Sequence, residues 1–346
     1  LKPLTQSKRT PRKNRILFSR ILLVLLIIGL VWIFRVNRPV RPGQKPTLVR
    51  FTQTRSLSDV LSRLESRGVI RSAKLAELLN IFMRAPKSVL AGTYRFGPGE
   101  SEVQVLRSLR FPIILQFRIP STNWGERTSR LLQEHDICPA SDYMALMRSP
   151  KQFQSMVDFP LPNDSLEGYL YPGTYQLAPL MPAKEIIEMQ LSNFQKKVYD
   201  PLNKPADLPK LLTIASLIEL EVGRNEERSL VSAVIWNRLH KKMRLQIDAS
   251  LNYAIQKWRP LKLSDLRNIP GPYNLYTHSG LPPHPICSPT FNSVEAAMYP
   301  SNVDYLYYVA LPNGHSLFSA TFQGHKENIK LRKAALEVRK HRPGNP

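Results

Sequence analysis

The chain is 346 residues long, enough for two compact domains or for one domain with appendages. Its 42% apolar and 22% charged residues exclude generic disorder. Thirty prolines argue against a long coiled coil, and two cysteines exclude a disulfide-dense scaffold or a cysteine-only metal site. The formal net charge is +23, but the first 50 residues hold twelve Lys/Arg and no acid, so about half the excess sits at one end.

That end reads as a membrane anchor. A basic segment, residues 1–20, precedes an anchor over 21–36 whose apolar stretch, Ile21–Phe34, extends to nineteen residues when Ile16–Arg20 is added, with Arg20 reaching back to the headgroups. No small-x-small cleavage site follows Phe34, which favours a retained anchor over a cleaved signal. The charge bias places the N-terminus inside and the remainder outside the cytoplasmic membrane. Residues 37–47, rich in proline, form an extended linker.

Residues 48–111 show a small βααβ pattern. Leu48–Thr52 alternates as a strand, and Ser58 is placed to cap a helix burying Val60, Leu61 and Leu64. Ser72 starts a second helix, residues 92–96 return as a strand, and a third helix is expected around Val103–Leu109. The order resembles a LysM-like glycan-binding module. Residues 112–335 read as a larger α+β domain, followed by a basic tail over 336–346. Within it, residues 113–119 predict a strand, and 126–134 and 183–198 predict helices. An aromatic, turn-rich block spans Leu166–Tyr175. Leu208–Val222 reads as a helix stopped by Gly223, Asn225 as the cap of another running to about Met243, and Asn313-Gly314 as the turn of a hairpin.

Glu219 is the most informative side chain. At ~100° per residue it falls beside the apolar stripe of its helix, and Glu221 falls on the opposite flank beyond Ile214. Burial disfavours the charged form, so Glu219 is expected to keep its proton, as a general acid at neutral pH must. The competing reading is a structural ion pair with Arg224, Arg228 or Arg238. Downstream, Asn237, Arg238, Gln246, Asp248, Tyr253, Trp258, Tyr273, Asn274 and Tyr276 mix amides, acids and rings in the manner of a sugar groove. No metal-ligand spacing, P-loop, dinucleotide fingerprint or serine elbow is present, so no metal or cofactor is expected. No nucleic-acid motif accompanies the basic charge, and no nucleic-acid partner is expected. Cys138 and Cys287 are either two buried thiols or one bridge.

Several ordered motifs resemble the MltG (YceG-like) family of endolytic murein transglycosylases. They are the run from Ile214 to Glu221, Glu227-Arg228, Asn237-Arg238-Leu239 and Met243–Asp248, then Pro272–Thr277, Gly280–Pro283 and the Leu166–Tyr175 block that holds Glu167. The resemblance implies cleavage of the β-1,4 bond between N-acetylmuramic acid and N-acetylglucosamine in nascent peptidoglycan, leaving 1,6-anhydro ends. It implies Glu219 as the catalytic acid, peptidoglycan strands as substrate and peptidoglycan synthases as neighbours. Glu167, Glu221, Glu227 and the groove residues named above are implied as binding or tuning groups. Gly173, Ala249-Ser250 and Leu275 depart from the family's usual residues. A hydrolysing muramidase and a non-catalytic wall-binding scaffold are the alternatives.

Overall fold

The computed structural model describes residues 12–36, 45–83 and 86–340. Helix α1 (Arg12–Val36) covers the expected anchor. Its described side chains, 18–29, 31 and 32, include exposed Phe18, Ile21, Leu22 and Leu26. Among the described residues no helix is long and apolar enough to cross a membrane. Most of the expected linker and of the C-terminal tail lies outside the described residues.

The rest of the chain divides into two compact units at Ile114/Leu115. In the first, β1 (Thr47–Phe51) and β4 (Gly92–Phe96) pair antiparallel with Val49 opposite Tyr94, and a short pair, β2 (Arg55–Ser56) with β3 (Ser88–Val89), lies alongside in sequence. Helices α2 (Leu57–Ser66), α3 (Ala73–Met83) and α4 (Glu102–Ser108) complete it. Alternate strand residues Val49, Phe51, Tyr94 and Phe96 meet Val60, Leu61 and Leu64 in one core. The expected cap is corrected here. Ser56, not Ser58, accepts the Asp59 amide, because the chain is still extended at Ser56 and already helical at Ser58. Ser101 and Gln104 form a capping box on α4.

The second unit begins with β5 (Leu115–Ile119), paired antiparallel with β6 (Gly173–Leu177), so that Phe117 faces Tyr175. Between and around them lie α5 (Gly125–Glu134), α6 (Ala140–Met147) and α7 (Ala183–Phe194), the last extended by a wider π turn over Gln195–Tyr199. The central helix α8 (Leu208–Glu221) is buried from Leu212 to Glu219. Asp207 caps it and Pro209 occupies its first turn, where a missing N–H costs nothing. Helices α9 (Arg228–His240) and α12 (Phe291–Met298) pack on α8, with the short α10 (Asp248–Ala254) and α11 (Leu263–Asn268) between them in sequence. A hairpin, β7 (Tyr307–Ala310) and β8 (Ser316–Ser319), and α13 (Phe322–Lys340) close the chain. Gly314 in the hairpin turn has φ +85°, which a side chain would resist. The fold is α+β as expected, and α13 continues through the first residues of the expected tail.

Asn225 is not the cap of α9. It lies in a single 3-10 turn, Asn225–Glu227, and its Oδ1 accepts from Arg228 Nε instead. Cys138 and Cys287 are two buried free thiols, and burial pushes Cys138 up to about 11.

Candidate active site

Glu219 occupies the last turn of α8 and is 7% exposed. One carboxylate oxygen, Oε2, collects nearly everything around it. Arg228 Nη1 donates at 3.1 Å, the Thr290 amide at 3.1 Å, the Thr290 hydroxyl at 2.7 Å and the Ser293 hydroxyl at 2.6 Å. Arg228 also contacts Ser293, and the Ser121 hydroxyl bears on the same carboxyl. Arg228 opens α9, while Thr290 and Ser293 stand at the start of α12, so packing of both helices on α8 assembles the cluster.

The geometry reverses the expectation for the proton. Desolvation is the largest single influence and pushes the Glu219 carboxyl up. The hydroxyls of Ser293, Thr290 and Ser121 and the charge of Arg228 together outweigh it, and the carboxyl lies below its ordinary value. In the free protein Glu219 is therefore a carboxylate, and the ion pair weighed against it in the sequence exists, with Arg228 as its partner.

Two other acids behave as Glu219 was expected to. Glu221, beyond the buried stripe, accepts from the Tyr308 hydroxyl at 2.8 Å. Burial raises its carboxyl, the Tyr308 bond opposes this, and the charge of Asp248 adds to the rise. Glu167 is buried and accepts the Gly125 amide with both oxygens, at 3.2 and 2.9 Å; desolvation pushes it up to about 7. The following residue, Gly168, has φ +87°, and a Cβ there would lie 2.5 Å from Pro285, so the turn that aims Glu167 inward requires glycine. Trp124, Tyr253 and Tyr273 form an aromatic chain beside it, with centroids 5.8 and 4.9 Å apart. Trp258 joins Trp124 at 6.4 Å and is half exposed.

The remaining expected residues separate into two groups. Tyr276 donates to Asp248, whose side chain is exposed, and both bear on Glu221, making a polar wall next to the end of α8. By contrast, Asn237, Arg238 and Asn274 are occupied with backbone. Asn237 donates to the carbonyls of Val303 and Tyr305, at 2.7 and 3.0 Å. Arg238 donates to Leu306 and Leu245, both at 2.7 Å. Asn274 donates to Leu266 and Ile269 and accepts the Tyr276 amide. Glu227 ties the turn before α9 to the hairpin by accepting the Ser316 amide at 2.9 Å. Gln246 is exposed at φ +54°, and its backbone N–H donates to the Leu275 carbonyl. In the free protein the side chains of Asn237, Arg238, Asn274 and Glu227 thus hold loops together, while that of Gln246 stays exposed.

Thr290, Ser293, Tyr308 and Ser121 were missed in the sequence. A signal existed for the first two: Thr290-x-x-Ser293 ahead of Val294, Ala296 and Ala297 has the form of a helix start. Among the described residues no cluster suited to a metal ion is present.

Residues 49–331 match the model of the YceG-like family. The chain is 30% identical over 324 residues to a Bacillus subtilis protein named endolytic murein transglycosylase, spanning 87% of this chain and 90% of that one. A Streptococcus pneumoniae protein of the same name is 33% identical over 174 residues, which are 47% of this chain and 32% of that one. The crystal structure of a yceG-like protein from Listeria monocytogenes superposes with a TM-score of 0.54 at 28% identity, covering 82% of this chain and 99% of that one.

Proposed function

The chain belongs to the YceG-like family, and from that membership we infer that it is an endolytic murein transglycosylase, a lytic enzyme acting on peptidoglycan. Glu219 is its acid–base residue. The observation that carries this assignment is a desolvated carboxylate with four donated bonds on a single oxygen, set at the end of the helix that also bears Glu221. Such an arrangement fixes the orientation of the carboxyl to within the tolerance that proton transfer demands.

The reaction balances without water. The bond from muramyl C1 to the glycosidic oxygen breaks, that oxygen takes a proton from Glu219, and the muramyl C6 hydroxyl attacks C1. The C6 hydroxyl proton then passes to Glu219, restoring the acid. The transition state has oxocarbenium character, and because the nucleophile belongs to the substrate no second carboxylate is required. The free protein holds Glu219 ionised, the form suited to the second transfer. The first transfer needs proton uptake as the strand arrives. An entering strand displaces water and lowers the local dielectric, which favours the neutral carboxyl.

The reading extends to the rest of the chain. The N-terminal helix anchors the protein in the cytoplasmic membrane with both units outside, beside the synthases that extend the strands, and the first unit engages glycan in the manner of a LysM-like module. The basic flank, the apolar stretch and the βααβ order support it.

Purified full chain and Glu219→Gln, incubated with murein, provide the test, read by mass analysis of the products. The expected fragments end in 1,6-anhydro-muramyl units, one water lighter than hydrolysed ends, and the variant yields none. Reducing ends in place of anhydro ends, or cleavage by Glu219→Gln at the wild-type rate, would overturn it.

A further inference from the structure

A pocket of about 650 Å³ opens beside Tyr276, lined by Arg244 and Arg267 together with Ser264, Asn268 and Thr277. We propose that this pocket binds a carboxylate of the peptide stem carried by the muramyl residue, with the two arginines as its cationic walls. The proposal rests on the peptidoglycan reading above and adds the part of the substrate that the enzyme recognises.

The charge is uncompensated. No carboxylate lines the pocket, and neither arginine makes an ion pair among the described residues. The acid nearest in sequence, Asp265, is committed elsewhere: it accepts from Arg259 at 2.7 and 3.1 Å and from the Lys262 amide at 2.7 Å. Arg267 is exposed and available. Arg244 spends one Nη on the Tyr276 carbonyl at 3.1 Å, which fixes the guanidinium against the wall while leaving the rest of its fork. A planar fork of N–H donors matches a carboxylate in two bonds, and hydroxyl and amide side chains around it suit the carbonyls and amides of a peptide.

Position argues in the same direction. Tyr276 lines the pocket and donates its hydroxyl to Asp248, which bears on Glu221. Glu221 lies two residues beyond Glu219 on α8. The pocket therefore lies at the end of a polar chain, Tyr276–Asp248–Glu221, that reaches the last turn of α8 on the flank opposite the Glu219 carboxylate. The wall is built rather than loose: Asn274 holds the end of α11 through the carbonyls of Leu266 and Ile269 and holds the Tyr276 amide at the same time. In peptidoglycan the sugars are neutral and the peptide stem supplies the regular negative charge, one stem per muramyl unit. A strand laid against Glu219 carries such a stem on the residue being cleaved. A pocket of this size takes two or three amino-acid residues, within the range of ordinary ligand sites.

The test compares stem-bearing strands with strands stripped of peptide by an amidase, using the full chain and measuring kcat/KM from the release of anhydro ends. The full chain favours stem-bearing strands. In Arg267→Ala and in Arg244→Gln that preference falls about tenfold through KM, and Arg267→Glu lowers it further. Strands whose stem carboxylates are amidated behave like stripped strands. Equal rates of the full chain on stripped and stem-bearing strands, or an unchanged preference in Arg267→Glu, would overturn the proposal and leave the transglycosylase reading standing. Absence of anhydro ends from every substrate would overturn that reading, and this proposal with it.

Discussion

At the scale of single residues, three carboxyls within one unit carry opposite perturbations although all are desolvated. What separates them is the number of donors and the presence of a cation. Glu219 has Arg228 and a ring of hydroxyls, and its carboxyl is lowered; Glu167 has one amide, and its carboxyl rises to about 7. For Glu219 the consequence is kinetic. A group that must be protonated to act, and whose carboxyl lies below its ordinary value in the free enzyme, makes kcat/KM rise as pH falls from 8 towards 5. Ser293→Ala removes one donor, so the carboxyl shifts up and the break in the profile moves to higher pH. A plot of log kcat/KM against pH for both proteins checks this; coincident profiles would contradict it.

For Glu167 the consequence is thermodynamic. A carboxyl raised in the folded state holds its proton more tightly than in the unfolded chain. Stability is then fully present below the ordinary carboxylate value and is lost as pH rises through about 7. The loss across that window is about 3 kcal/mol at most, from the linkage of 1.36 kcal/mol per pH unit. Glu167→Gln, whose amide oxygen still accepts the Gly125 N–H, removes the titration. Thermal melts of wild type and variant between pH 5 and 8 are expected to diverge, with the variant the more stable at pH 8.

At the scale of elements, what the sequence disclosed follows periodicity and what it concealed follows polar anchoring. Residues 92–96 form a strand with the expected bounds, and the α8 stripe buried Glu219 as its angle required. Apolar spacing is a local property, and both features depend on it. The proton state of Glu219 was not legible, because its donors Thr290 and Ser293 stand some seventy residues downstream on a helix that the Pro-rich approach to it obscured. Asn237, Arg238 and Asn274 were visible as polar residues among aromatics, yet a sugar contact and a loop tie have the same composition. Only the structure shows which carbonyls they reach. Asn274 makes the distinction measurable. Asn274→Ala leaves two half-buried carbonyls and the Tyr276 amide without their partner, a cost of about 2–4 kcal/mol at 1–3 kcal/mol per unsatisfied group with partial rescue by water. Urea unfolding reads the loss, and hydrogen exchange is expected to quicken across residues 264–277 before it does in α8. Uniform exchange throughout the unit would argue against an anchoring role.

At the scale of the whole molecule, the described residues form two hydrophobic cores with no buried residue in common. One is built from residues between Val49 and Leu109, the other from residues between Phe117 and Ala297. The smaller core is made by seventeen buried side chains, of which Val60, Leu61 and Leu64 on α2 are wholly enclosed. A unit of that size stands near the lower limit at which burial offsets the entropy of ordering the chain, whereas the larger unit is well above it. The two are therefore expected to unfold in separate steps, the first unit at the lower temperature. Leu61→Ala isolates that step. Removing a fully enclosed leucine costs about 2–5 kcal/mol through lost transfer energy and the cavity left behind. In a domain of this size such a change moves the midpoint by about 4–8 °C for each kcal/mol. Scanning calorimetry of the full chain in detergent is then expected to show the lower transition displaced or abolished in Leu61→Ala while the upper one keeps its temperature and enthalpy. Were both transitions to move together, the cores would be coupled through contacts that neither cluster contains, and the division at Ile114/Leu115 would not be a thermodynamic one.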